Sequence, residues 1–218
     1  MRWLCVLLPR LTLELFARGR PGTGSAAEEG PDEARRPAVV VQEHRVLYGN
    51  AAARARGIRP GSSRASARAV CPDLWCIERD AEALRVEHEA LERLAGWAYG
   101  LTAAVSPQPP DALLLEIEGS LRLFGDQRRL ETRIRDDLEA MGLTAVLGVG
   151  HTPGAALLLA RAGTLLPPCP LPELRERTLA ALAHAPLACG ERAARQRERL
   201  EGLGIRTVGA LLDLPRPA

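Results

Sequence analysis

The stretch that most constrains the fold is PPDALLLEIEGSLRLFG, residues 109–125. Its apolar run at 113–117 is short, and turn-forming residues flank it on both sides, which is typical of a buried strand. A second apolar run, WLCVLL at residues 3–8, ends at Pro9 and predicts another buried strand. Two buried strands so far apart in the chain indicate a sheet that is assembled from distant segments.

Helical and strand patterns alternate after this stretch. Residues 126–141 have a charged amphipathic pattern, residues 144–149 an apolar strand pattern, and the next segment, TPGAALLLARAG, has the Pro and Gly that open and close helices. Together with the first strand and a helical turn near residues 11–16, this alternation predicts an α+β fold. A longer amphipathic helix is predicted at 80–99, with an apolar face of Leu84, His88, Leu91, Leu94, Ala95 and Ala98.

Residues 38–80 interrupt this alternation. The segment AVVVQEHRVLYGN at 38–50 has two β-rich runs around a polar QEH, which predicts a pair of strands. Asn50 is the predicted cap of an Ala-rich helix, and Ser62 or Ser63 the predicted cap of a second short helix. The preceding residues, 18–37, are rich in Gly, Pro, Glu and Arg without periodicity, which predicts a disordered loop.

The charged residues are compatible with two interpretations, nucleic-acid binding and a compositional bias of the genome. All 29 basic residues are arginine, a side chain that binds phosphate bidentately, but the formal net charge of +2 does not indicate nucleic-acid binding. A GC-rich genome accounts for the abundance of Arg, Ala, Gly and Pro, and we favour that explanation. The arginines at 122–135 alternate with acidic residues, which predicts ion pairs on a solvated helix. His88 has no partner at metal-ligand spacing, and we interpret it as a core or boundary residue.

The segment LEGLGIRTVGALLDLP near the end of the chain has the helix-hairpin-helix pattern. Such hairpins present backbone N–H groups to a nucleic-acid phosphate. An ordinary helical hairpin has the same short pattern and remains the alternative. The candidate DNA or phosphate-binding residues are Gly204, Arg206, Thr207 and Gly209 in this hairpin and Arg54 in the 38–80 segment, where a solvated arginine is the alternative.

Taken together, these segments resemble the Y-family, or translesion, DNA polymerases. The segment GNAAARARGIRPG with the later CPDL is similar to the family's fingers motif. The stretch SPQPPDALLLEIEGSLRLFG is similar to its palm motif, and LGVGHTPGAALLLARAG to its palm helix. The details resemble in particular the ImuB branch, whose members are polymerase-like accessory subunits of a bacterial mutagenesis cassette.

The resemblance implies a ferredoxin-like palm, an inserted fingers lobe and the start of a helix-hairpin-helix thumb. The expected domains are 1–17 (first strand and helix of the palm), 18–80 (fingers-like insertion, with a disordered loop at about 18–37), 81–165 (palm) and 166–218 (partial thumb). The chain is therefore expected to be truncated within the thumb.

The resemblance also locates the place where active members hold two divalent ions. Those members use an Asp on the first strand and an adjacent Asp-Glu pair in the palm motif. Here residues 3–13 contain no carboxylate, Asp111 aligns with the first acid of the pair, and Ala112 stands in place of the catalytic Glu. We expect Asp111 to be vestigial as a metal ligand and interpret it as a turn cap. The implied result is no catalytic residue, no metal site and no Mg²⁺ cofactor.

Two substrate-handling positions also depart from the family pattern. The fingers Tyr aligns with Ala51, and the helix that carries Lys in active members has Thr152 and Pro153. The resemblance therefore implies a protein that is not an enzyme.

The implied function is an adaptor in DNA-damage-induced mutagenesis, in the bacterial cytoplasm at the nucleoid. The implied partners are primer–template DNA, bound weakly, an error-prone C-family polymerase, a RecA-like accessory subunit and the sliding clamp. The regions that usually bind these proteins lie beyond the thumb, outside this sequence. An active low-fidelity polymerase and a simple DNA-binding module are the alternatives.

Overall fold

The computed structural model describes residues 1–18, 36–163 and 191–214. The chain divides into two compact units. Unit 1 consists of Met1–Pro9 and Arg93–Ala218, and unit 2 consists of Arg10–Glu92. The predicted loop at 18–37 lies almost wholly outside the described residues, as does the first part of the expected thumb.

The predicted mixture of strands and helices is confirmed. The strands are β1 Trp3–Leu7, β2 Ala38–Gln42, β3 Arg45–Gly49, β4 Trp75–Glu78, β5 Val105–Gln108, β6 Ala112–Glu116 and β7 Val146–Gly150. The helices are α1 Leu11–Arg18, α2 Ala51–Ala55, α3 Arg64–Val70, α4 Ala81–Ala98, α5 Leu121–Phe124, α6 Gln127–Ala140, α7 Pro153–Gly163, α8 Glu191–Gly202 and α9 Val208–Leu212. None of the helices within the described ranges combines the length and apolar character that a membrane span requires.

Unit 1 is built on a four-stranded antiparallel sheet with the strand order β5-β6-β1-β7. Strand β1 lies in the middle, and its side chains from Leu4 to Leu7 are buried on both faces. The sequence is consequently a continuous apolar run there, because alternation is expected only where one face meets solvent. Strand β5 contains Pro107 and lies at the edge, where the missing N–H is tolerated.

Helix α7 packs very closely on this sheet. A Cβ atom added at Gly148 would lie 2.2 Å from the backbone nitrogen of Ala160 and 2.4 Å from the carbonyl oxygen of Ala156. Only glycine permits the backbones of β7 and α7 to come this near. The close contact fixes the position of every α7 side chain relative to the sheet.

Unit 2 contains a three-stranded sheet with the order β3-β2-β4. The predicted strand pair at 38–50 is confirmed as β2 and β3, joined by a turn in which Glu43 and His44 have positive φ angles of 50° and 64°. Both predicted helix caps are present: the Asn50 side chain accepts from the Ala53 N–H, and the Ser63 side chain from the Ser66 N–H. Strand β4 was not predicted, and it pairs parallel to β2.

Helix α4 forms where it was expected, but its predicted apolar face is partly wrong. Leu84 is 44% exposed and His88 is exposed, whereas Glu87 is buried. The reason is that Glu87 forms an internal ion pair with Arg79, so the buried face includes this acid and excludes the histidine. His88 is therefore a surface residue and not a core one.

Helix α6 has the predicted pattern of surface ion pairs. Leu130, Ile134 and Leu138 form its buried side. On the outer side Arg133 pairs with Asp137 at 2.8 Å, four residues later. The prediction of a solvated, ion-paired helix is confirmed.

Candidate functional site

The site that the palm motif indicates lies where β1 ends and β6 begins. Leu7 pairs with Ala112 across the two strands, and the Leu8 N–H donates to the Asp111 carbonyl oxygen at 2.8 Å. The Leu7 and Ala112 side chains are buried. The strand pairing thus brings the end of β1 next to Asp111 and Ala112 of the palm motif.

Asp111 is buried and forms an ion pair that the sequence analysis did not predict. Its Oδ1 accepts a hydrogen bond from Nη2 of Arg161 at 3.1 Å, and the two side chains are 5% and 22% exposed. Arg161 comes from the last turn of α7, which the glycines of β7 hold against the sheet. The available signal was that Arg161 is the single charged residue of this otherwise apolar helix. The interpretation of Asp111 as a turn cap therefore missed its main feature.

The surroundings of this ion pair are apolar. Cys5, Leu7 and Ala112 belong to one buried cluster with Leu114, Ala156 and Ala160. Burial raises the pKa of the Cys5 thiol to about 12; the Arg161 cation opposes this rise, and the Asp111 charge adds to it. The thiol is consequently protonated at neutral pH.

Metal-binding side chains are not grouped in this region. Across the ranges 1–18, 36–163 and 191–214, no set of three or more His, Cys, Asp or Glu side chains is arranged to hold a metal ion.

Thr152 and Pro153, which stand in the position of the family's helix lysine, form the start of α7. The Thr152 hydroxyl accepts from the Ala155 N–H at 3.2 Å. Pro153 is the first helical residue.

The candidate Arg54 lies in the last turn of α2 and is exposed. Its neighbour Ala51, at the position of the family's Tyr, begins the same helix. Among the described residues, Arg54 has no ion-pair partner. Its contact with a phosphate stays a prediction.

The four other candidates lie in a pair of helices joined by a short turn, which is the helical hairpin that the sequence pattern predicts. After α8, Gly204 adopts a positive φ of 82°, and Thr207 caps α9 by accepting from the Ala210 N–H at 3.2 Å. Gly204 and Arg206 are exposed, and Gly209 is buried. The hairpin geometry is present, and its binding to DNA stays a prediction.

Comparison with known proteins identifies relatives of this chain. Residues 26–161 match the model of the impB/mucB/samB family. The chain is also similar to the protein named Protein ImuB in two strains of Caulobacter vibrioides, with 35% identity over 160 residues in each case. These matches cover 73% of this chain and 33% of the relative, so the chain spans about a third of the length of the curated relatives.

Solved structures show the same fold. An insertion ternary complex of Dbh DNA polymerase has a TM-score of 0.67 and 18% identity, and it covers 99% of this chain and 61% of its own. A crystal structure of DinB from Sulfolobus solfataricus has a TM-score of 0.60 and 17% identity, with 99% and 61% coverage. The predicted α+β fold, with a ferredoxin-like palm, a fingers lobe and the beginning of a thumb, is confirmed. With most of the chain matched by the family model, the protein belongs to the impB/mucB/samB family of Y-family, polymerase-like proteins.

Proposed function

We propose that this protein is a non-catalytic member of its family that acts as an adaptor in DNA-damage-induced mutagenesis. Family membership supports a DNA-damage-related, polymerase-like protein. The absence of polymerase chemistry and the adaptor role are the further steps that we propose. The observation that supports the first of them is the Asp111–Arg161 ion pair.

A divalent ion at this place would need several oxygen ligands. Mg²⁺ requires near-octahedral geometry, and a two-ion site requires carboxylates that bridge or flank both ions. Asp111 supplies a carboxylate that is already bound to a guanidinium. The next residue is Ala112, and Leu7 of β1 pairs with Ala112 across the strands. Arg161 would also repel an incoming cation at this distance. These residues do not fit a pair of divalent ions, and no catalytic step follows from them.

The test combines ion binding with nucleotide incorporation. We expect the electron paramagnetic resonance signal of free Mn²⁺ to be the same with and without the protein, and primer extension with Mg²⁺ or Mn²⁺ to give no product. An active Y-family polymerase serves as the positive control. Mn²⁺ binding or incorporation that disappears in Asp111→Asn would contradict the proposal and support an active low-fidelity polymerase.

The adaptor role requires a test in the bacterium that encodes the chain. We expect deletion of the gene to lower the frequency of damage-induced mutations. The double substitution Asp111→Asn with Arg161→Gln should leave that frequency unchanged at an equal protein level, since it removes the carboxylate without leaving an unpaired buried charge. A mutation frequency as low as that of the deletion, at normal protein level, would show that Asp111 takes part in chemistry.

The partners that we propose follow from the family. They are an error-prone C-family polymerase, a RecA-like accessory subunit, the sliding clamp and primer–template DNA. The exposed hairpin residues Gly204 and Arg206 are the proposed DNA contacts in unit 1. We place this activity in the bacterial cytoplasm, at the nucleoid.

A further inference from the structure

The charges of this chain are unevenly distributed. Residues 45–72 contain six arginines and not one acidic residue, a formal charge of +6. Because the whole chain carries +2, the remaining residues together carry −4. The near-neutral total therefore conceals one strongly basic segment within an otherwise acidic chain.

This basic segment forms β3, α2, the turn that follows and α3, all within unit 2. Its apolar side chains face the core of the unit, where Ala53, Ile58 and Ala67 are buried in one cluster with Cys71. With these residues directed inward, the arginines between them lie on the outside. Exposed members are Arg45, Arg54, Arg56, Arg59 and Arg68.

Half of the six arginines have partners. Arg56 lies 4.0 Å from Asp73, and Arg64 pairs with Glu78. Arg45 donates to the Gly61 carbonyl oxygen at 3.0 Å. For Arg54, Arg59 and Arg68, no ion pair is present among the residues that the structure describes.

Other arginine-rich surfaces of the chain are built differently. On α4, Arg85 contacts both Glu82 and Glu89, and on α6, Arg133 contacts Asp137. Interleaved acids of this kind neutralise a helix surface and favour solvation over binding of a polyanion. The 45–72 segment contains no acids of its own, and Asp73 and Glu78 just beyond it pair only with Arg56 and Arg64. The positive charge of the other arginines is therefore not neutralised by ion pairs among the described residues.

We propose that this basic surface, defined by Arg45, Arg56, Arg59, Arg64 and Arg68 together with the phosphate candidate Arg54, binds the phosphate backbone of a nucleic acid. The guanidinium group presents paired N–H donors that match two phosphate oxygens, and it remains charged at every physiological pH. Arg59 and Arg68 carry the largest share, since no acid competes for them. The inference rests on the proposed function only in that DNA is a partner. It assigns the contact with DNA phosphates to the basic surface of unit 2 and not to the hairpin.

The test measures binding of the whole chain to a fluorescent DNA single strand of about 20 nucleotides, and to the matching duplex, by anisotropy. Substitution of Arg59→Gln together with Arg68→Gln should weaken binding about tenfold, which corresponds to about 0.7 kcal/mol for each of the two exposed charge contacts. The slope of log K against log salt for the single strand should become shallower by about 1.4, the value for two lost phosphate contacts.

The matched control is Arg128→Gln with Arg135→Gln, which removes the same charge from exposed positions of the acid-interleaved helix α6. This control should change the affinity much less than the basic-surface variant. Equal losses in the two variants would mean that only net charge matters and would overturn the inference.

Two further arms separate this inference from the proposed function. Loss of DNA binding in Arg206→Gln but not in the basic-surface variant would assign the contact to the hairpin and overturn the inference alone. Competition by polyglutamate as strong as by DNA at equal charge would identify a general anion surface and likewise overturn it. Neither result bears on nucleotide incorporation or Mn²⁺ binding, which test the absence of catalysis.

Discussion

Within the described residues, unit 2 contains an ion pair whose two side chains are buried, and unit 1 contains one between a buried aspartate and a half-buried arginine. The two pairs are built differently. In unit 2, Arg79 holds Glu87 through two parallel hydrogen bonds, Nε to Oε1 at 2.8 Å and Nη2 to Oε2 at 2.7 Å. Thr12 donates to the same carboxylate, and Arg79 also donates to Gln42 at 3.2 Å. In unit 1, Arg161 Nη2 donates to Asp111 Oδ1 at 3.1 Å, next to a cluster of buried apolar side chains.

The Arg79–Glu87 pair belongs to a wider hydrogen-bond network. A buried ion pair is tolerated when further hydrogen bonds satisfy its remaining polar atoms, and this network meets that condition with Thr12 and Gln42 from two other segments. The Asp111–Arg161 pair lies at the start of the segment that resembles the family's palm motif. There Arg161 compensates the charge of the buried Asp111 carboxylate.

The largest effect is expected in unit 2. Glu87→Gln removes the negative charge and leaves Arg79, whose side chain is 9% exposed, without its counter-ion. We expect a loss of about 3–5 kcal/mol in the free energy of unfolding, measured by urea denaturation. Glu89→Gln is the control on the same helix, because Glu89 contacts only the exposed Arg85 among the ion pairs described here. Similar losses in both variants would refute the idea that the network holds unit 2 together.

A smaller effect is expected in unit 1. Arg161→Leu removes one charged hydrogen bond and should lower the free energy of unfolding by about 1.5–3 kcal/mol. Asp111→Asn in the same background should cost less than it does alone, since the two side chains interact directly. A double-mutant cycle in urea measures this coupling. If the losses in the free energy of unfolding were additive, the interaction between the two side chains would not contribute to stability.

The sequence predicts the apolar framework better than the buried charges. The runs at 3–8 and 113–117 identify β1 and β6 because a sheet buried on both faces leaves uninterrupted apolar segments. Strand β4 escapes prediction because it has four residues, one of them a glutamate, and its partner β2 lies far away in the chain. Short strands depend on tertiary pairing more than on local pattern.

The buried ion pairs could not be predicted either, because they too depend on tertiary contacts. Periodicity assigns Glu87 and Arg161 to the surface. Only the folded structure pairs Glu87 with Arg79, eight residues earlier, and Arg161 with Asp111, fifty residues earlier. Family resemblance locates Asp111 and Ala112 by alignment. Arg161 lies in the segment that resembles the family's palm helix, but the resemblance did not indicate that it pairs with Asp111. The capped helices, in contrast, follow from local chemistry at Asn50 and Ser63.

The smallest expected effect concerns the titration of one buried thiol in unit 1 and one buried phenol in unit 2. Burial raises the pKa of Cys5 in unit 1 from 9.0 to about 12, and that of Tyr48 in unit 2 from 10.0 to about 12. Both groups are protonated in the folded and unfolded chain below pH 9, so neither affects stability there. Above pH 9 the unfolded chain loses these protons first, and the free energy of unfolding falls until the folded pKa is reached.

The thiol should dominate the first part of this decline. At pH 10, one unit above the unfolded pKa, Cys5 accounts for a loss of about 1.4 kcal/mol, and Tyr48, at its unfolded pKa, for about 0.4 kcal/mol. Urea denaturation at pH 8 and pH 10 measures the sum. Cys5→Ala should remove the larger Cys5 contribution to the decline, and Tyr48→Phe the smaller Tyr48 contribution. The buried Cys71 thiol, whose pKa burial also raises, is common to both variants. The buried surroundings beside Asp111 disfavour a thiolate at Cys5. If the free energy of unfolding fell by the same amount between pH 8 and pH 10 in Cys5→Ala, these surroundings would not be what keeps the thiol protonated.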